Sequence, residues 1–278
     1  MKYQFNTFYK YLSCVSILLI IGGSGCRKYL DKTPLSALSS ETFWTSETNA
    51  MIALTGVYRG NIQMANSAEF NATDWWSYYG LLFTEFATDN AYDRRGDNSV
   101  FNLLTNGTLT SSNVLLREYW QRSYQRIARC NYFLENIAKT PMDAAKIERM
   151  GAEARFIRAC QYFYMSQYWG SVPLVTKVLT LDEANTVSKA AKDDIVKFVR
   201  EELTEVSAIL PRWKDLPADE AGRASKQVAL AFLGRLELAE KNIPRLLRHL
   251  NPLWITAIIT LIQISKVFLM ELTKGVMN

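Results

Sequence analysis

The sequence predicts an all-α fold of stacked antiparallel helical hairpins, interrupted by one irregular loop insert. Apolar residues return at three- and four-residue spacing in five separate stretches, the periodicity of a helix with one buried face. Short joints between them carry Ser, Asn or Asp starts and Gly or Pro stops. Small residues such as Ala152, Ala154 and Ala159 suit close helix packing. Consecutive amphipathic helices of this kind bury their faces only against neighbours, so the array is tetratricopeptide-like, although the strict repeat motif is absent.

Taken in order, Leu30–Pro34 is extended, because a proline disfavours helix in its predecessor. Ser46 then caps a helix through Met51, Ile52, Leu54, Val57 and Tyr58. Ser112 or Asn113 starts a second, in which Leu116, Trp120, Tyr124, Ile127, Tyr132, Leu134 and Ile137 line one face. Asp143 caps a third, carrying Ile147, Met150, Ala154, Ile157, Phe163 and Met165 to a stop at Trp169-Gly170, and these two form a hairpin. A fourth runs from about Ala191 to Leu210 and ends at Pro211, which cannot continue a helix. The fifth begins near Ser225 and is rich in alanine and leucine.

Composition excludes several functions. The net charge is +5, but Lys2 and Lys10 lie ahead of Cys26 and a further +3 lies beyond Asn242, which leaves residues 26–241 neutral. A neutral body lacks the basic footprint that a phosphate backbone requires, so nucleic acid is not an expected partner. Cys14, Cys26, Cys130 and Cys160 are too few and scattered for a disulfide scaffold or a zinc site. His249 is the single histidine, which removes histidine triads and multi-histidine metal sites. Neither a cofactor nor a metal is expected.

The N-terminus reads as an address. Lys2 and Lys10 precede an apolar run from Val15 to Ile21, and Gly22, Gly23, Ser24 and Gly25 lead into Cys26. A positive flank, a short apolar stretch and small residues make a secretory signal, too short to span about 30 Å of hydrocarbon comfortably. It resembles a bacterial lipoprotein signal, which implies cleavage after residue 25 and acylation of Cys26.

The body resembles the SusD/RagB family. The resemblance is carried by Tyr29-Leu30-Asp31-Lys32-Thr33-Pro34, Phe43-Trp44 and Ala53-Leu54-Thr55-Gly56-Val57-Tyr58. It continues through Thr88-Asp89-Asn90-Ala91, Gly151-Ala152-Glu153-Ala154-Arg155-Phe156-Ile157-Arg158-Ala159 and Tyr168-Trp169-Gly170-Ser171-Val172-Pro173-Leu174-Val175, and ends in the Ala224-Ser225-Lys226 to Leu233 segment. It implies a mostly helical lipoprotein of the Gram-negative outer membrane, a lid on a SusC-like TonB-dependent transporter that hands over oligosaccharides and catalyses nothing. Members run well beyond this length.

From Asn242 the resemblance stops and the chain becomes apolar and basic. Joining the third base of each codon to the next two bases gives a test. Trp254-Ile255 must then give Asp, Met270-Glu271 must give Gly and Met277-Asn278 must give Glu. The permitted string includes Tyr-x-x-Asn-Pro-Asn-Phe-Lys-Ser-Leu-Phe-Asn-Gly, which looks like the family's continuation, so residues 242–278 read as an out-of-frame tail. The competing reading is a membrane span at 253–270, which Gln263 and Lys266 interrupt at a cost. Three domains follow: signal 1–25, helical body 26–241 and tail 242–278.

The candidate site is the insert at 66–110. Sugars offer apolar CH faces and dense hydroxyls, so a site for them combines flat aromatics with amide, carboxylate or guanidinium groups. Trp75, Trp76, Tyr78 and Tyr92 are the expected stacking rings, and Asp89, Asn90, Arg94, Arg95 and Asn98 the expected hydroxyl readers. The packing alternative makes Trp75, Tyr79, Leu82 and Phe83 core and Asp89-Asn90 a turn. A second function class is a helical-repeat adaptor that binds a membrane protein without binding sugar. Catalysis is set against the absence of a suitable carboxylate pair: Glu148 and Glu153 face different sides of one helix, and Asp89 and Asp93 lack an apolar setting that would raise a pKa.

Overall fold

The computed structural model describes residues 43–59, 75–76, 80, 84–99 and 101–245. The chain divides into two compact units, Met1–Phe43 and Trp44–Asn278, and the architecture below is that of the second. The signal segment, Cys26, Tyr78 and the tail beyond residue 245 lie outside the described residues.

Seven α-helices are described: α1 (Glu47–Arg59), α2 (Asn102–Thr105), α3 (Val114–Asn136), α4 (Ala144–Tyr168), α5 (Leu181–Thr186), α6 (Lys192–Ile209) and α7 (Lys226–Ala239). No strand occurs among the described residues. The five long helices match the five periodic stretches, and three of them, α1, α3 and α4, begin at a side-chain cap. Ser46 accepts from the Asn49 amide at 3.2 Å, Asn113 from Leu115 at 2.8 Å, and Asp143 from Ala145 at 2.8 Å. Each occupies an amide that the first helical turn leaves without a partner. At the far end of α4, Gly170 adopts φ +67, the left-handed conformation that terminates a helix at little cost.

Two short helices escaped the sequence reading. α5 carries a capping box between Thr180 and Glu183, whose pattern is visible in the sequence but precedes no apolar run. α2 lies inside the insert and has four residues, too few to show a period.

The core is organised around α4, which packs against α1, α3, α6 and α7. Its second half, from Ala152 to Ser166, is buried almost all round rather than along one stripe. That differs from the one-sided helix expected, because a helix enclosed by four neighbours has no solvent face. Its charged residues are met by partners. Arg158 reaches Glu202 of α6 at 3.0 Å, Arg155 reaches the same carboxylate at 2.8 Å, and Arg200 of α6 reaches the buried Glu237 of α7 at 2.6 Å. These pairs fix the register of α4, α6 and α7, since a buried charge without its partner is strongly unfavourable.

The Tyr168–Val175 segment is strapped across the α3–α4 hairpin. The Pro173 carbonyl accepts from Tyr124 at 2.7 Å, and that of Val175 accepts from Tyr162 and from Asn131, each at 3.1 Å. The Thr176 carbonyl accepts from Arg158 at 3.1 Å. Carbonyls of an irregular segment pressed onto a core need such donors.

Candidate functional site

The insert divides into a buried aromatic part and an exposed polar turn. Trp75 is 1% exposed, and its Nε1 donates to Ser123 at 2.9 Å. Its ring lies 4.4 Å from Tyr119, 5.0 Å from Tyr164 and 4.9 Å from Tyr168. The expectation that Trp75 stacks on a sugar is therefore corrected: packed among these rings and almost wholly enclosed, it is core. Trp76 is half-buried, with the Arg126 guanidinium 5.0 Å from its centroid and Phe156 stacked at 6.5 Å.

The remaining candidates share the segment 88–99. Thr88 donates to the Glu85 carbonyl at 2.6 Å and accepts from the Asn90 amide at 3.2 Å, which bends the chain and leaves Asp89 and Asn90 exposed. Tyr92 follows, 54% exposed. A turn then closes from Asp93 to Gly96, whose amide donates to the Asp93 carbonyl at 3.0 Å. Gly96 has φ +59, a conformation that L side chains rarely adopt. Arg94 and Arg95 occupy the two central positions of this turn and face solvent, as does Asn98.

Charge within the turn is partly internal. Arg95 pairs with Asp93 at 3.0 Å and also donates to it through its backbone amide at 3.1 Å. The Arg95 side chain, then the Ser99 hydroxyl and the Arg95 amide, hold the Asp93 carboxyl down at about 2. Asp93 therefore serves the turn's geometry, and its neighbours Tyr92, Arg94 and Asn98 present the outward chemistry. Asn102 is a residue that sequence reasoning missed. It is fully buried, accepts from the Asp93 amide at 2.9 Å, and donates to the carbonyls of Asp93 and Gly96, both at 2.8 Å. An asparagine that opens a four-residue helix gives no periodic signal that would have marked it.

Glu153 and Asp93, two of the four carboxylates weighed for catalysis, are engaged in structural pairs. Glu153 is fully buried and receives Arg223 at 2.8 Å, Arg149 at 3.4 Å and the Tyr58 hydroxyl at 2.7 Å. Asp93 is pushed towards its ionised form, the opposite of what a proton donor needs. Among the described residues no cluster of His, Cys, Asp or Glu could hold a metal ion.

Comparison with known proteins agrees with this architecture. A family model described as SusD-like, starch-binding and associating with the outer membrane matches residues 28–238. SusD-like protein P25 of Formosa agariphila is 27% identical over 240 residues, covering 82% of this chain and 43% of that protein. The crystal structure of a SusD-like carbohydrate binding protein from Bacteroides fragilis superposes with a TM-score of 0.70 at 47% identity, covering 75% of this chain and 40% of that one. A laminarin binding SusD-like protein gives a TM-score of 0.62 at 26% identity, with 74% and 43% covered. The chain thus spans about two fifths of the length of the relatives it matches. With the helical fold and the family match in agreement, the chain belongs to the SusD-like family of carbohydrate-binding proteins associated with the outer membrane.

Proposed function

We propose that this protein captures an uncharged glycan at the 88–99 turn and passes it to a SusC-like TonB-dependent transporter, while an acyl group on Cys26 holds it on the outer membrane. The observation that carries the glycan reading is the exposed Tyr92 ring beside Arg94 and Asn98 on a turn whose backbone is already closed. A flat ring binds the CH face of a sugar, and the amide and guanidinium groups read its hydroxyls. From 88 to 99 the segment holds Asp89, Asp93 and Asp97 against Arg94 and Arg95, a net charge of −1. That balance disfavours uronates and sulfated chains, which would need surplus cations. The protein acts by binding alone.

Affinity electrophoresis of the full chain through gels containing laminarin, starch, xyloglucan or alginate tests this reading. Retardation by a neutral polysaccharide, abolished in Tyr92→Ala, supports it; retardation by alginate alone, or by none of the gels, contradicts it. Cys26→Ser should move the protein from the membrane fraction to the soluble fraction, and equal membrane retention would contradict the anchor.

A second reading is an adaptor that binds a membrane protein without sugar. It draws on Leu181, 78% exposed, and Trp213, 67% exposed, each displayed on a connection between long helices. Capture of a barrel transporter by a chain that no polysaccharide retards favours it. Beyond Asn242 we keep the shifted-frame reading: the family match stops at Leu238, and genomic DNA should continue the family pattern in the shifted frame.

A further inference from the structure

We infer that Asn102 is the positioning residue of the glycan-reading turn: its side-chain amide clasps the backbone of residues 93–96 and holds Tyr92, Arg94 and Asn98 in place before any ligand arrives. The inference rests on the proposed glycan reading for its purpose, but not for its geometry.

The Asn102 carboxamide faces the main chain of Asp93 as a second strand would, accepting from its N–H at 2.9 Å and donating to its C=O at 2.8 Å. Its second hydrogen goes to the Gly96 carbonyl at 2.8 Å, so one group joins both ends of the Asp93–Gly96 turn. Its backbone continues the closure, because the Asn102 amide donates to Ser99 at 3.2 Å and the Ser99 amide to Gly96 at 3.0 Å. All three side-chain partners are backbone groups of the segment that carries the exposed ring, and Asn102 itself is fully buried. Few other side chains fit. Aspartate keeps an acceptor but opposes two carbonyl oxygens with a carboxylate, and alanine supplies nothing. A preformed turn loses less freedom on binding, which is how a residue that touches no ligand raises affinity.

The test is amide hydrogen exchange on the full chain, read over peptides spanning 88–106, for wild type, Asn102→Ala and Asn102→Asp. Loss of the clasp should speed exchange of the Asp93, Gly96 and Ser99 amides roughly tenfold while α6 amides keep wild-type rates. Unchanged exchange at 93–99 overturns the clasp, and equal acceleration in α6 overturns it too, since Asn102 would then be a general stability residue. The second arm measures affinity for whichever neutral polysaccharide retards the wild type. Weaker retardation of both variants, with unfolding midpoints within error of wild type, supports positioning. Full retardation despite a loosened turn overturns it. Where no polysaccharide retards the wild type, the glycan reading falls, and the exchange arm still decides whether Asn102 holds the turn.

Discussion

The hydroxyl of Tyr58 on α1 donates to Oε2 of Glu153 on α4 at 2.7 Å, although 95 residues separate them in sequence. The same hydroxyl accepts from the Ala224 amide at 2.8 Å, and Arg223 closes on Glu153 at 2.8 Å. Burial and the adjacent carboxylate push Tyr58 far up, so it remains a donor at any ordinary pH. Tyr58 and Glu153 thus tie α1, α4 and the start of the Ala224–Leu233 segment together by packing.

Replacing Glu153 with alanine leaves Arg223 and Arg149 without their buried counter-charge and should lower the unfolding free energy by about 3 to 5 kcal/mol. Tyr58→Phe strands the Ala224 amide and should lower it by about 1 to 3 kcal/mol. Urea denaturation measures both. A loss below about 1 kcal/mol for Glu153→Ala would mean that the cluster is not a keystone of the fold.

Trp75 and Tyr92 should behave as opposites. Trp75→Ala removes a fully buried ring and should lower the unfolding free energy by about 3 to 5 kcal/mol. Tyr92→Ala should shift stability by less than about 0.5 kcal/mol, as for an exposed position, while removing glycan retardation. Equal stability losses in the two variants would contradict their assignment to core and site.

The helical framework was legible because periodic burial and side-chain caps are local: Ser46, Asn113, Asp143 and Pro211 mark their boundaries by chemistry that needs no tertiary context. The candidate site was legible only as a composition. Trp75 and Tyr92 are both aromatics in an irregular segment, and nothing within a few residues of either tells which will be enclosed. Their separation depends on Tyr119, Tyr164 and Tyr168, which arrive from helices far along the chain. Asn102 stayed invisible for the same reason: its role is a set of contacts with a turn six to nine residues upstream.

The turn should also resist acid. The Asp93 carboxyl is lowered from 3.8 to about 2, first by the Arg95 side chain, then by Ser99 and the Arg95 amide. A depressed folded value means that the ionised group's contribution is complete above the unfolded value and disappears as pH falls through the folded one. Exchange protection at Gly96 and Ser99, corrected for intrinsic rates, should hold from about pH 7 to about pH 4 and fall towards about pH 2. Asp93→Asn should remove that pH dependence. Protection that already declines near neutral pH would contradict this account.

Cys130 and Cys160 are both buried and free, and burial pushes the first up to about 12 and the second well above its ordinary value. The thiolate is the reactive form, so neither should react with iodoacetamide near pH 8 until the chain unfolds. Mass spectrometry of the peptides containing each residue reads this directly. Modification in the native protein would show that the α3–α4 core opens readily.

The most direct test of the central claim is hydrogen exchange of the full chain with and without the neutral polysaccharide that retards it. Added protection confined to peptides covering 88–99, with α6 and α7 unchanged, is the predicted result. Protection that maps elsewhere, or spreads evenly over the helices, would contradict a glycan site at that turn.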